Sequence, residues 1–311
     1  MRCLIIGCTG QDGYLLSNLL KKKQVYFIGT KLQNNTLDKK HSLYNSNLIF
    51  SLDVRDTSQI VDLVLKYEIN LIYYLAGITT ISDSLNNPNL TLEINYTSYR
   101  DLLLNLRDLN FNGQIIYASS TEIFDKNEPR INENSKFFAN NPYTTSKLNS
   151  TLIKNEFSDL NITNAIMSNH ESSLRSEKFV IGKLARGLAK IYLNQDKKIK
   201  FGNIDISKDW SYAPEIIEAL FLLAENKKRG NFILASGQLS NLKELIKFGF
   251  EYIGKNNWQE YVEIDSSLIR KGEKNNPIFD ISKAQKELNW YPTKDFKVWL
   301  PKIIDYHLQT N

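Results

Sequence analysis

Arg2-Cys3-Leu4-Ile5-Ile6-Gly7-Cys8-Thr9-Gly10-Gln11-Asp12-Gly13 is the stretch on which the fold turns, and Leu15, Leu16, Leu19 and Leu20 follow it at helical spacing up to Lys22. A short apolar strand runs into three glycines, and the glycines open an amphipathic helix. Glycine permits positive φ and lets backbone N–H groups approach an anion, whose charge is favoured at a helix N-terminus. Three glycines also suit any tight strand-to-helix turn, so the motif alone is weak. Its place at the very start of an alternating chain favours a dinucleotide site. The segment has a basic residue and an apolar run but no small-residue cleavage site, so it reads as a first strand and not as a signal peptide.

Working outward, apolar runs alternate with helical stretches. Strands are expected at 25–28, 48–52, 70–75, 113–118 and 161–167, and helices at 58–67, 95–109 and 143–157. Strands apolar on both faces that alternate with helices imply a parallel sheet covered on each side. Right-handed crossovers then give a doubly wound, Rossmann-like α/β fold. The rhythm changes near residue 168. A polar stretch, 169–178, precedes a helix at 179–192. Shorter pieces follow: strands near 198–201 and 231–235, and helices near 214–224, 242–253, 282–288 and up to His307. We read 1–168 as the dinucleotide-binding domain and 169–311 as a smaller substrate lobe, partly interwoven with it.

Composition narrows the classes. The chain has 311 residues, 42% hydrophobic and 23% charged, which is ordinary for a globular protein. No run reaches the length of a membrane span. Cys3 and Cys8 lack metal-ligand or disulfide spacing, and His41, His170 and His307 are scattered, so no metal is expected and a reducing cytoplasm fits. The net charge of +5 suits an anionic small molecule but falls short of a nucleic-acid surface.

Candidate site residues sit at the ends of the strands. Gly7, Thr9, Gly10, Gln11, Asp12 and Gly13 form the cofactor turn. After the second strand, Lys31 stands where an NAD enzyme would offer a carboxylate to the ribose, which favours NADP. Asp53 and Val54 are placed at the adenine, Asp53 alternatively serving as a helix cap. Leu75 and Ala76, at the end of the fourth strand, complete the cofactor set. Tyr143 and Lys147 form a Tyr-x-x-x-Lys pair on one helix face, where the ammonium is expected to lower the pKa of the phenol. Ser120 and Glu122, at the end of the fifth strand, project to the same side if the chain stays extended. Reductases and epimerases need only the hydroxyl and the Tyr/Lys pair; a carboxylate can also remove a carbon-bound proton.

These residues resemble the GDP-mannose 4,6-dehydratase family of the extended short-chain dehydrogenase/reductase (extended SDR) superfamily. The likeness rests on Gly7 to Gly13, Ala118-Ser119-Ser120-Thr121-Glu122, Tyr143/Lys147, Asn169-His170-Glu171-Ser172 with Arg175 and Phe179-Val180, Gly202 to Asp205 with Lys208-Asp209-Trp210, Arg270 with Glu273, and Asp280 to Pro292. It implies a GDP-sugar 4,6-dehydratase acting on GDP-mannose or a related GDP-hexose or heptose, with NADP as cofactor and Ser120, Glu122, Tyr143 and Lys147 as catalytic residues. It also implies Asn169, Val180, Lys183, Lys208, Arg270 and Glu273 as substrate contacts, and a homo-oligomer, dimer or tetramer, without nucleic-acid or membrane partners. A nucleotide-sugar 4-reductase or epimerase is the alternative activity. His170, Trp210 and Trp290 read as structural. The chain departs from the family in carrying Ser120 for threonine, Lys208 and Leu174 for arginines, and a shorter segment after the second strand.

Overall fold

A computed structural model describes residues 1–35, 41, 43, 46–269, 275–293 and 295–310. Seven parallel strands form the central sheet: β1 (Arg2–Ile6), β2 (Tyr26–Lys31), β3 (Ile49–Ser51), β4 (Leu71–Tyr74), β5 (Gln114–Ser120), β6 (Asn161–Met167) and β7 (Gly230–Leu234). Their order is 3-2-1-4-5-6-7. The order reverses between β1 and β4, and the crevice at that switch point is where such sheets bind ligands.

Alternation along each strand feeds two cores. Cys3 and Ile5 of β1 and Tyr73 of β4 face one cluster, with Leu16 and Leu20 of helix α1 (Gln11–Lys22). Leu4, Ile6, Ile72 and Tyr74 face the other. There they meet Ile60 of α2 (Thr57–Lys66) and Leu102 and Leu106 of α3 (Ser98–Asp108). Burying a leucine or isoleucine this fully stabilises by about 1.5–3 kcal/mol. Helix α4 (Pro142–Leu152) follows β5 and carries the Tyr/Lys pair.

The second half supplies α5 (Val180–Tyr192), α6 (Ala213–Glu225), α7 (Leu242–Tyr252), α8 (Ser282–Leu288) and α9 (Phe296–Thr310). Helices α5, α7 and α9 close a separate core around Phe250, Trp299 and Leu300. The chain after residue 168 is not confined to that core. Strand β7 pairs with β6 in the central sheet, and α6 packs against α1. Phe232 and Leu234 of β7 belong to the same apolar cluster as β1, so burial draws this strand into the sheet.

Two elements depart from the reading of the sequence. The helix expected at 95–109 is preceded by short helices, Ile81–Asn86 and Pro88–Leu92, and a π-helical turn, Glu93–Thr97. Thr80 caps the first through its side chain, and Pro88 opens the second. Helix α4 ends at Leu152, and residues 153–155 tighten into a 3-10 turn.

Candidate active site

The glycine turn is built for close approach. Gly7 has φ +93°, and a Cβ there would lie 2.9 Å from the backbone nitrogen of Ala76. A Cβ on Gly13 would lie 2.3 Å from the Gly7 carbonyl oxygen. Helix α1 starts after Gly10 with no side-chain cap, so its first N–H groups face the turn. Leu75 follows β4 and donates its N–H to Ile6 O at 3.0 Å, which brings the two strand ends together beside the cradle. Lys31 stands at the end of β2, with its ammonium donating to Asn35 O at 2.8 Å. Asn35 in turn donates to Thr9 Oγ1 at 3.2 Å, so the Lys31 loop borders the turn. Arg55 grips the Asp53 carboxylate at 2.7 and 3.0 Å and holds its pKa below the usual range. The cap of α2 is Asp56, not Asp53. Val54 is buried beside them.

Ser120 ends β5, and the chain does not stay extended beyond it. Glu122 N donates to Ser120 Oγ at 3.2 Å, and residues 121–123 curl into a 3-10 turn. A serine side chain that competes for backbone N–H groups is the cause. The same hydroxyl acts on the Tyr143 phenol and lowers its pKa. Pro142 and a reciprocal Asn141/Thr144 capping box start α4, so Tyr143 sits in its first turn. Four residues on, Lys147 is buried, donates to Ala118 O at 2.7 Å and lies 5.0 Å above the Tyr117 ring.

The phenol is not depressed as the Tyr/Lys spacing led us to expect. Burial pushes Tyr143 up to about 12, the Ser120 hydroxyl opposes this, and the Glu122 carboxylate adds to it. Burial also pushes the Lys147 ammonium down to about 8, against the pull of Asp12. Desolvation outweighs the neighbouring charge for both groups.

Gln11 and Asp12 reach the second half of the chain. Strand Asn169–Glu171 pairs with Trp210–Tyr212. From it His170 Nε2 meets Asp12 Oδ1 at 3.0 Å, and Gln11 Nε2 donates to His170 O at 3.1 Å. Ser172 Oγ donates to Gln11 Oε1 at 2.8 Å. Burial would raise the Asp12 carboxyl, but His170 and Arg175 overcome it and hold it at about 2. Burial works against the His170 cation, yet Asp12 raises its pKa on balance. Arg175 lies 3.5 Å from buried Glu171 and stacks 3.5 Å over Phe179.

A family model described as "GDP-mannose 4,6 dehydratase" matches residues 4–303. The chain belongs to that family. Among its relatives, GDP-mannose 4,6 dehydratase 1 of Arabidopsis thaliana is 31% identical over 98% of this chain and 89% of its own. The human GDP-mannose 4,6 dehydratase is 28% identical over 94% and 87%. The fold matches that of RMD from Pseudomonas aeruginosa complexed with NADPH, with a TM-score of 0.83 at 20% identity and full coverage of both chains.

Within this member of the GDP-mannose 4,6-dehydratase family, Ser120 and Glu122 act on the Tyr143 phenol, and Asp12 of the glycine turn acts on both Tyr143 and Lys147. Asp53 and Val54 lie just before α2. Among the expected substrate contacts, Asn169 lies on the strand that holds His170, and Val180 opens α5. The Lys183 ammonium donates to Lys200 O at 3.3 Å, and Lys208 pairs with Ser240 in a short ladder. Arg270 and Glu273 lie outside the described residues. The sequence did not show that the charges of His170 and Arg175 act on Asp12, or that Arg175 also acts on Tyr143. Nor did it show the part played by Asn95, which bonds Ile78 N at 2.8 Å and Ser146 Oγ at 3.0 Å, tying α4 to the loop after β4. A buried amide inside a helical pattern was the available signal.

Proposed function

We propose that this chain is a GDP-sugar 4,6-dehydratase that uses NADP to convert GDP-mannose, or a related GDP-hexose or heptose, to its 4-keto-6-deoxy product. The observation that carries this reading is Glu122, a carboxylate turned by Ser120 into the field of Tyr143. A reductase or epimerase has no use for a base at that place. The glycine cradle and uncapped α1 N-terminus fit a pyrophosphate, and Lys31 suits a 2′-phosphate. Held by the glycine turn and Lys31, the cofactor would supply hydride acceptance at C4 of the sugar and hydride return at C6.

The residues divide the proton work. Tyr143, ionised with the help of Lys147, takes the O4 proton and leaves a 4-ketone that acidifies C5. Glu122 takes the C5 proton as the C6–O bond breaks, and passes it to the departing hydroxide, so water leaves. Proton return to C5, with hydride at C6, restores Tyr143 and balances the reaction. Residues 169–311 supply the substrate lobe in this reading, with Asn169, Val180, Lys183, Lys208, Arg270 and Glu273 toward the nucleotide sugar. Two buried free cysteines accord with a reducing cytoplasm. No helix among the described residues is long and apolar enough to cross a membrane.

Incubation with GDP-mannose is expected to give a product lighter by one water, with no net change in cofactor absorbance. Glu122→Gln is expected to cut product formation by about 10²–10⁴-fold while cofactor reduction in the first half-reaction persists. Stoichiometric cofactor oxidation by a keto-sugar, insensitive to Glu122→Gln, overturns the reading in favour of a 4-reductase.

A further inference from the structure

Glu122 holds a partner that the proton transfers above do not use. Lys126 Nζ donates to Glu122 Oε1 at 2.6 Å, one helical spacing along the chain. The pair is not a surface ornament, since the two side chains are only 19% and 25% exposed. The same ammonium donates to Asn276 Oδ1 at 3.2 Å. Asn276 is buried and comes from the far end of the sequence. Its backbone N–H donates to Ser207 O at 2.9 Å, and Asn275 Oδ1 accepts from Ser207 N at 2.8 Å. Ser207 immediately precedes Lys208. One ammonium therefore ties the carboxylate after β5 to the segment that runs into the expected nucleotide contacts.

We propose that Lys126 is a positioning residue for Glu122, aiming its carboxylate for proton transfer at C5, with Asn276 holding Lys126 from the second half of the chain. This rests on the dehydratase reading. A glutamate side chain has three rotatable bonds and loses substantial rotamer freedom when fixed. A charge-assisted hydrogen bond to one oxygen fixes it. The 3-10 turn sets the backbone of Glu122, and Lys126 holds one oxygen of its side chain. Because Lys126 acts on Glu122 and not on the Tyr143 pair, its effect falls on the elimination and not on the first hydride transfer.

The test uses the NADP-loaded full chain and GDP-mannose, with separate readouts for cofactor reduction in one turnover, deuterium entry at C5 from heavy water, and product formation. Lys126→Met is expected to slow C5 exchange and product by about 100-fold, the scale of a misplaced reacting group. KM and the hydride step stay within about two-fold, since uniform binding is untouched. Lys126→Arg restores the rates to within about ten-fold, because the charge and a donor return. Asn276→Ala gives the same pattern, smaller. Unchanged C5 exchange in Lys126→Met, or equal losses in all three readouts, overturns the assignment.

A substrate-free arm separates the two claims. In protein labelled with nitrogen-15 at lysine Nζ, the Lys126 ammonium, assigned by its loss in Lys126→Met, is expected to give a slowly exchanging signal that disappears in Glu122→Gln. Its absence from the wild-type protein overturns the pair itself. A signal that is present and dependent on Glu122, in an enzyme that forms no keto product, defeats the dehydratase reading and with it the role at C5.

Discussion

At the scale of single residues, burial governs the chemistry. Lys147 is inside the protein, next to a carbonyl and a ring, and its ammonium is destabilised relative to water. At neutral pH the folded chain carries that cost. It is relieved only as the pH rises through about 8 and the folded lysine gives up its proton before the unfolded one does. Lys147→Met is therefore expected to raise stability at pH 7 by about 1–2 kcal/mol, after the lost bond to Ala118 is discounted, while turnover is abolished. Thermal melts beside a product assay check this, and a melting temperature below wild type counts against it. Tyr143 tells the same story from the other side: a phenol held at about 12 does not ionise unaided near neutral pH. In the proposed reaction, Lys147 and the charge of the bound cofactor have to supply what burial withholds.

At the scale of elements, the decisive join is β1, turn and α1. Gly13 lies in the first helical turn, where any Cβ runs into the backbone of Gly7 and Cys8. Neither neighbour is the movable end of a side chain, so Gly13→Ala has to shift the turn. The expected cost is about 1–3 kcal/mol of stability, with weaker NADP(H) affinity, both readable by melting with and without cofactor. Equal cofactor affinity in the variant would show that the turn does not form the pyrophosphate site. The same element reaches across the molecule through Gln11 and Asp12, whose bonds to His170 and Ser172 fix where the strand Asn169–Glu171 sits.

At the scale of the whole molecule, the sheet and the α5/α7/α9 core share the chain after residue 168, because β7 returns to the sheet while α9 packs on α5 and α7. His307, on α9, is buried, and its Nε2 finds no hydrogen-bond partner among the described residues. Burial, with Arg186 nearby, pushes its pKa down to about 4, so the folded protein keeps it neutral. An unfolded histidine takes up a proton near pH 6.5. The stability tied to neutral His307 is thus fully present above that pH and is lost as the pH falls toward 4. His307→Leu is expected to remove about 2 kcal/mol of the acid sensitivity across that window. Denaturant melts at pH 7 and pH 4.5 measure it, and an identical pH slope in both proteins refutes it.

Much of this protein was legible in the order of its residues. The alternation of two-faced apolar strands with helices defines a parallel sheet, because only a sheet covered on both sides buries such runs. The glycine turn and the Tyr143/Lys147 spacing locate the cradle and the helix that carries the pair. What periodicity cannot show is contact between distant segments. That β7 joins the sheet, that Ser120 bends Glu122 out of the strand, that Asp12 meets His170, and that Asn276 steadies Lys126 all depend on packing. Partners more than a hundred residues apart meet only when the cores have closed, and burial then decides which charges persist.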